Sequence, residues 1–154
     1  MSARSRNLPR RSCLSIPGSS EKMLGKGPGI PADMVFLDLE DAVAPKEKEA
    51  SRAKIAAAIR GNDWGDKVLC VRVNDWSTKW TAYDIIEVVG TAGERLDEIM
   101  LPKVESAAQI VATDMLLRQV EISAGLPIGH IGIEAQIETA RGLINVEEIC
   151  AASP

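Results

Sequence analysis

The 154 residues are 45% hydrophobic and 26% charged, enough for one sizeable core, and a net charge of −4 gives no reason to bind nucleic acid. No apolar stretch has the length of a membrane span, so neither nucleic acid nor a membrane is expected as a partner. One histidine, His130, excludes a multi-histidine metal site, and the three distant cysteines, Cys13, Cys70 and Cys150, form no disulfide or zinc framework; all three are expected as buried, reduced thiols of a cytoplasmic protein.

Met1 to Arg11 holds four arginines and no acid. It lacks the apolar segment of a secretory signal and is short for a mitochondrial presequence, so residues 1–11 are read as an N-terminal tail. Ser12 to Ile16 is a first apolar run, closed by Pro17-Gly18. A weak helix from about Ser19 is cut short by Gly25, Gly27, Pro28 and Gly29. Met34 to Leu39 is the second run, followed by acids. Pro45 to Arg60 has proline in its first turn and Gly61 after its end, and Ile55 and Ile59 share a face, so it is predicted helical.

Lys67 to Val73 is the third run, rich in β-branched residues. Ala82 to Val89 is a helix expected to turn Ile85, Ile86 and Val89 inward. Glu98 to Leu101 is the fourth run. Ser106 can cap a long helix with Ile110, Leu117 and Val120 at helical spacing, reinforced by Val111 and Met115 and ended by Gly125. His130 to Ile137 holds the fifth run, with His130 at or before the strand start. Asn145 and Glu148 suit a capping box before a helix through Cys150.

Five βα units leave an open doubly wound sheet or a barrel. No G-x-G-x-x-G or Walker sequence follows the first strand, whereas the strands finish in polar residues: Asp38, Glu40 and Asp41; Arg72 and Asn74; Lys103 and Glu105; Glu138. A barrel gathers its active site at that rim. The expectation is therefore α/β, a (β/α)8 TIM barrel of which the first five βα units are present. Residues 12–154 then form a partial barrel domain that stops before strand 6, with unpaired edges at the first and fifth strands.

Three acids at the second strand end, Asp38, Glu40 and Asp41, can ligate a hard cation, orient an arginine or face water. Arg72, inside an apolar strand, needs a carboxylate; it can pair with Glu40 or clamp a substrate carboxylate, and both can hold at once. Glu138 is a candidate oxygen ligand for Mg²⁺, and Gly142 leaves room for a bound ligand. Glu134, deeper in the same strand, is read as structural. Lys103 can form a Schiff base or a salt bridge to neighbouring acids, and the salt bridge is preferred.

Five stretches in this order resemble the HpcH/HpaI aldolase/citrate lyase β-chain family of CoA-ester lyases, on the side of its malyl-CoA lyases. They are Arg10 to Gly18, Leu37 to Val43, Val71 to Asn74, Met100 to Glu105 and Ile137 to Gly142. Trp64-Gly65-Asp66, Trp80 and Asn145 to Ile149 lean toward the malyl-CoA branch. The resemblance implies a TIM-barrel carbon–carbon lyase joining or parting acetyl-CoA or propionyl-CoA and glyoxylate, with Mg²⁺ as cofactor and a CoA thioester such as malyl-CoA as substrate. It implies Mg²⁺ on Glu138 and on an aspartate after a sixth strand, Arg72 on the substrate, and Glu40 and Asp41 around it as catalytic groups. Lys22 and Lys26 would lie near the CoA phosphates, and the parent enzyme would be a homo-oligomer. The isolated 154 residues are expected to be inactive. A citryl-CoA lyase, a Schiff-base aldolase using Lys103, and a non-catalytic half-barrel assembly module are the alternatives.

Overall fold

A computed structural model describes residues 8–153 of the chain. Residues 1–7, most of the expected tail, lie outside the described residues. The strands are β1 (Cys13–Pro17), β2 (Met34–Asp38), β3 (Val68–Arg72), β4 (Glu98–Leu101) and β5 (Gly132–Ala135). The helices are α1 (Glu21–Lys26), α2 (Lys48–Gly61), α3 (Thr81–Ala92), α4 (Ala107–Ser123), α5 (Ala140–Ile144) and α6 (Val146–Ala151). All pairings are parallel, and the sheet runs β1-β2-β3-β4-β5.

Side chains alternate across each strand, so the two faces can be read separately. Val35, Leu37, Leu69, Val71, Ile99 and Leu101 join Leu24, Ile55, Ile85, Ile110 and Ile149 from the helices in one large core. Each fully buried Leu or Ile there is worth about 1.5–3 kcal/mol. The opposite face carries a small separate cluster, Met34, Val68, Cys70 and Met100, with Leu8 and Phe36 against it. A doubly wound sheet would carry helices on both faces and reverse its strand order; here they lie on one face and the order is sequential. This is the wall of a TIM barrel, carried through five βα units. None of the helices is long and apolar enough to cross a membrane, among the described residues.

Several local expectations are corrected. Pro45–Glu47 is a 3₁₀ turn, and the helix proper begins at Lys48. Ile86, Val111 and Met115 are exposed. The buried face of α4 is instead Ile110, Thr113, Leu117, Val120 and Glu121, and Val111 and Met115 lie outside that stripe. Glu121 is buried because it accepts the N–H groups of Gly129 and Ile131 at 2.8 Å, closing the turn into β5. Asn145 is not a side-chain cap; its amide donates to the carbonyl of Glu105 at 2.8 Å. Of the cysteines only Cys70 is buried, while Cys13 and Cys150 are exposed, because both lie on elements at the margins of the sheet and its helical layer.

Candidate functional site

Period-two alternation carries Asp38 and Arg72 onto the same face as Phe36 and Cys70, at the C-terminal ends of their strands. They are register partners between β2 and β3. The Arg72 guanidinium donates from Nε to Asp38 Oδ1 at 2.8 Å and from Nη2 to Oδ2 at 2.7 Å. It also lies over the Phe36 ring, 5.2 Å from its centroid. Asp38 is 0% exposed and accepts two further bonds, from the N–H groups of Glu40 and Ala42. Burial opposes the Asp38 carboxylate, but Arg72 and those N–H groups outweigh it and hold its pKa below the usual value. Asp38 is thus consumed in orienting Arg72.

Glu40, 5% exposed, joins three strand ends. Its Oε2 lies 3.3 Å from Arg72 Nη1, and its Oε1 accepts from Lys103 Nζ at 2.5 Å. The N–H of Asp41 donates to Glu40 Oε2 at 3.2 Å, while the Asp41 side chain is exposed. The hydrogen bond from Lys103 to Glu40 raises the lysine pKa. A Schiff-base amine must be neutral, so this shift disfavours the aldolase reading and agrees with a salt bridge.

Lys103 also bridges to Glu138. Its own N–H donates to Glu138 Oε1 at 2.8 Å, and Gln136 Nε2 donates to Glu138 Oε2 at 3.1 Å. Gln136 Oε1 is buried without a hydrogen-bond partner. An exposed carboxylate with spare lone pairs beside an unsatisfied amide oxygen is a hard-oxygen donor set suited to Mg²⁺, which takes one or two carboxylates plus water and substrate. Among the described residues no group of three or more His, Cys, Asp or Glu could hold a metal ion. Glu138 and Gln136 thus offer at most a partial oxygen donor set, with one carboxylate.

Three supports were not singled out from sequence. Lys48, at the start of α2, donates to the carbonyls of Leu39 and Glu40 at 2.8 and 2.7 Å and so holds the loop that carries Glu40. A cation at a helix N-terminus opposes the helix dipole, and that oddity was the available signal. Asp84, on α3 and 0% exposed, accepts from Arg52 Nε at 2.8 Å and from the amide and backbone of Asn74 at 2.7 and 3.0 Å. The Asn74 amide also reaches the carbonyl of Leu39 at 3.1 Å, so the ends of β2 and β3 are pinned to the helices behind them. Asp84 and Arg52 sit in helices and give no strand-end signal.

The structure thus links Arg72, Glu40 and Glu138 through Lys103, whereas the Asp41 side chain is exposed and only its N–H touches the group. Lys22 and Lys26 are exposed on α1 and make no hydrogen bond or ion pair with that group. Gly142 is not kept open for a ligand: a Cβ there would run into the carbonyl oxygen of Val104, so the glycine serves backbone packing.

The family model for HpcH/HpaI aldolase/citrate lyase matches residues 11–154. An L-malyl-CoA/beta-methylmalyl-CoA lyase of Cereibacter sphaeroides is 43% identical over 146 residues, 95% of this chain and 46% of its own. A malyl-CoA/beta-methylmalyl-CoA/citramalyl-CoA lyase of Chloroflexus aurantiacus is 37% identical over 148 residues, 95% of this chain and 42% of its own. The CitE protein of Mycobacterium tuberculosis, solved in complex with magnesium, acetoacetate and coenzyme A, superposes with a TM-score of 0.68 at 32% identity, covering 95% of this chain and 47% of its own. The chain spans about half the length of the curated relatives it matches. With the sheet, its strand-end residues and these matches in agreement, the chain belongs to the HpcH/HpaI aldolase/citrate lyase family.

Proposed function

We propose that the protein is a Mg²⁺-dependent carbon–carbon lyase acting on malyl-CoA-like thioesters, releasing glyoxylate and acetyl-CoA or propionyl-CoA. The observation that carries this reading is the Arg72 guanidinium, locked by Asp38 at a strand end and linked through Glu40 and Lys103 to the exposed carboxylate of Glu138. The malyl-CoA lyases at 43% and 37% identity support the substrate class.

Glu138 would hold the cation, together with water, substrate and a second carboxylate from outside this region. Bound Mg²⁺ would supply Lewis acidity and a template for the substrate's carboxylate and neighbouring oxygen. In cleavage, the bond between the carbon next to the thioester and the hydroxyl-bearing carbon breaks. The hydroxyl proton leaves to a base, and the electron pair becomes the thioester enolate, which takes up a proton. Arg72 faces that developing negative charge or the substrate carboxylate. Because Asp38 already fixes its orientation, little reorganisation is needed as charge develops. Glu40 and Asp41 shape the anionic side of the rim, and Lys22 and Lys26 offer ammonium groups to the CoA phosphates. We place the enzyme in the cytoplasm as a homo-oligomer, and the 154 residues alone are inactive on this reading.

Arg72→Lys and Glu138→Gln in the whole enzyme test it, with released glyoxylate trapped and followed by absorbance. Arg72→Lys is expected to lower kcat by about 10²–10³-fold. Glu138→Gln is expected to abolish Mg²⁺-stimulated cleavage. Unchanged rates in both variants would overturn the proposal.

A further inference from the structure

The backbone of Lys103 has φ 51°, the one non-glycine residue in the left-handed region among the described residues. Nothing in its side chain favours that conformation, which L-residues adopt seldom. The surroundings impose it. Leu101 and Val104 are both fully buried, and both are tied to Gln136: the N–H of Gln136 donates to the carbonyl of Leu101 at 2.9 Å, and the N–H of Val104 donates to the carbonyl of Gln136 at 3.3 Å. Pro102 and Lys103 form the excursion between these two anchors. An over-determined, sparsely populated conformation of this kind concentrates at functional sites.

The excursion has two consequences. It aims the Lys103 N–H at Glu138 Oε1, 2.8 Å away, and it sends the side chain the other way, to Glu40 Oε1 at 2.5 Å. One residue therefore grips the carboxylate assigned to the cation and the carboxylate that flanks Arg72. A regular extended residue at position 103 would not be expected to serve both directions at once.

We infer that Lys103 is a positioning residue for cation binding: its left-handed backbone, independently of its ammonium group, holds the Glu138 carboxylate in its ligating orientation. The inference rests on the assignment of Glu138 to the cation. The ammonium has a separate task, holding Glu40 beside Arg72.

Two substitutions separate the tasks. Lys103→Gly removes the ammonium but keeps ready access to positive φ and retains the N–H. Lys103→Val also removes the ammonium, and its β-branched side chain opposes positive φ. Binding of Mn²⁺ alone to the native protein and its variants, read from the electron paramagnetic resonance of free Mn²⁺, is the measurement. Lys103→Val is expected to weaken Mn²⁺ binding by about 10-fold or more, the usual size of an outer-shell loss. Lys103→Gly is expected to stay close to the parent. Equal losses, or no loss in either variant, overturn the inference. Glu138→Gln belongs in the same series. If it leaves Mn²⁺ affinity unchanged, the assignment of Glu138 fails and the inference with it. If it weakens Mn²⁺ while Lys103→Val does not, the inference alone fails.

Should Lys103→Val not fold, the Lys103 amide proton of the parent decides. Its resonance is expected downfield through the bond to Glu138, moving upfield in Glu138→Gln. A resonance that stays in place overturns the inference.

Discussion

Arg72 and Asp38 stand opposite each other in the parallel register of β2 and β3, and two hydrogen bonds of 2.8 and 2.7 Å join guanidinium to carboxylate. The pair is nearly dry, with 11% of the Arg72 side chain and 0% of the Asp38 side chain exposed. Removing one member leaves a buried charge facing little else than Glu40. Asp38→Ala is expected to lower stability by about 3–5 kcal/mol, measured by urea unfolding. A loss below about 1 kcal/mol would mean that Glu40 alone suffices for Arg72.

The inner face carries a second buried acid with the opposite behaviour. Glu98 on β4 is pushed up to about 7, mainly by burial, with Arg10 opposing the shift and Glu134 adding to it. Arg10 meets Glu98 Oε2 at 2.9 Å, and the Glu98 carboxyl lies within hydrogen-bonding reach of Glu134. An acid whose pKa is raised on folding binds a proton more tightly in the folded state. Stability from this group therefore falls as pH rises from about 4.5 to about 7, by up to roughly 3 kcal/mol, and levels off above. Asp38, whose pKa is lowered from 3.8, works in the other sense: its contribution is present above 3.8 and lost as pH falls through its folded value. Thermal melts across pH are expected to show a decline between pH 5 and 7 that Glu98→Gln removes. A profile unaltered by Glu98→Gln would show that this carboxyl is not the source.

Lys48 is almost buried and bonds two carbonyls in the loop after β2. Lys48→Met keeps the length of the side chain but takes the ammonium away from both carbonyls, leaving Leu39 to the Asn74 amide and Glu40 to the N–H of Val43. A loss of about 2–3 kcal/mol is expected from chemical unfolding. Because Glu40 rides on that loop, the variant should also raise KM for the thioester in the whole enzyme. Loss of stability with an unaltered KM would make Lys48 a purely structural residue.

Gly142 in α5 lies against the carbonyl of Val104, where a methyl group does not fit. Gly142→Ala is expected to cost about 1–3 kcal/mol in thermal or urea unfolding. A tolerated alanine would mean that α5 can move away from the end of β4.

The architecture was legible because it depends on local pattern. Short apolar runs ending in polar residues, separated by helical segments, specify parallel strands with a polar rim, and the sheet runs in sequence order. The candidate residues were legible for the same reason, since Arg72, Glu40 and Glu138 each sit at or just past a strand end. Their partners were not. Arg72 was read as able to pair with Glu40 or to clamp a substrate carboxylate; it does lie 3.3 Å from Glu40, but its two shortest bonds go to Asp38, because interstrand register, which no single segment encodes, sets Asp38 opposite it. Lys103 reaches Glu40 across 63 positions of sequence, and Asp84 with Arg52 secures Asn74 from helices that show no functional signature. Exposure was decided late for a similar reason. Helical spacing made Val111 and Met115 look inward, but the neighbouring elements determine which stripe of α4 meets the sheet. Sequence by itself determined which side chains arrive at the rim; only tertiary packing decided which of them neutralise one another and which keep a lone pair for a ligand.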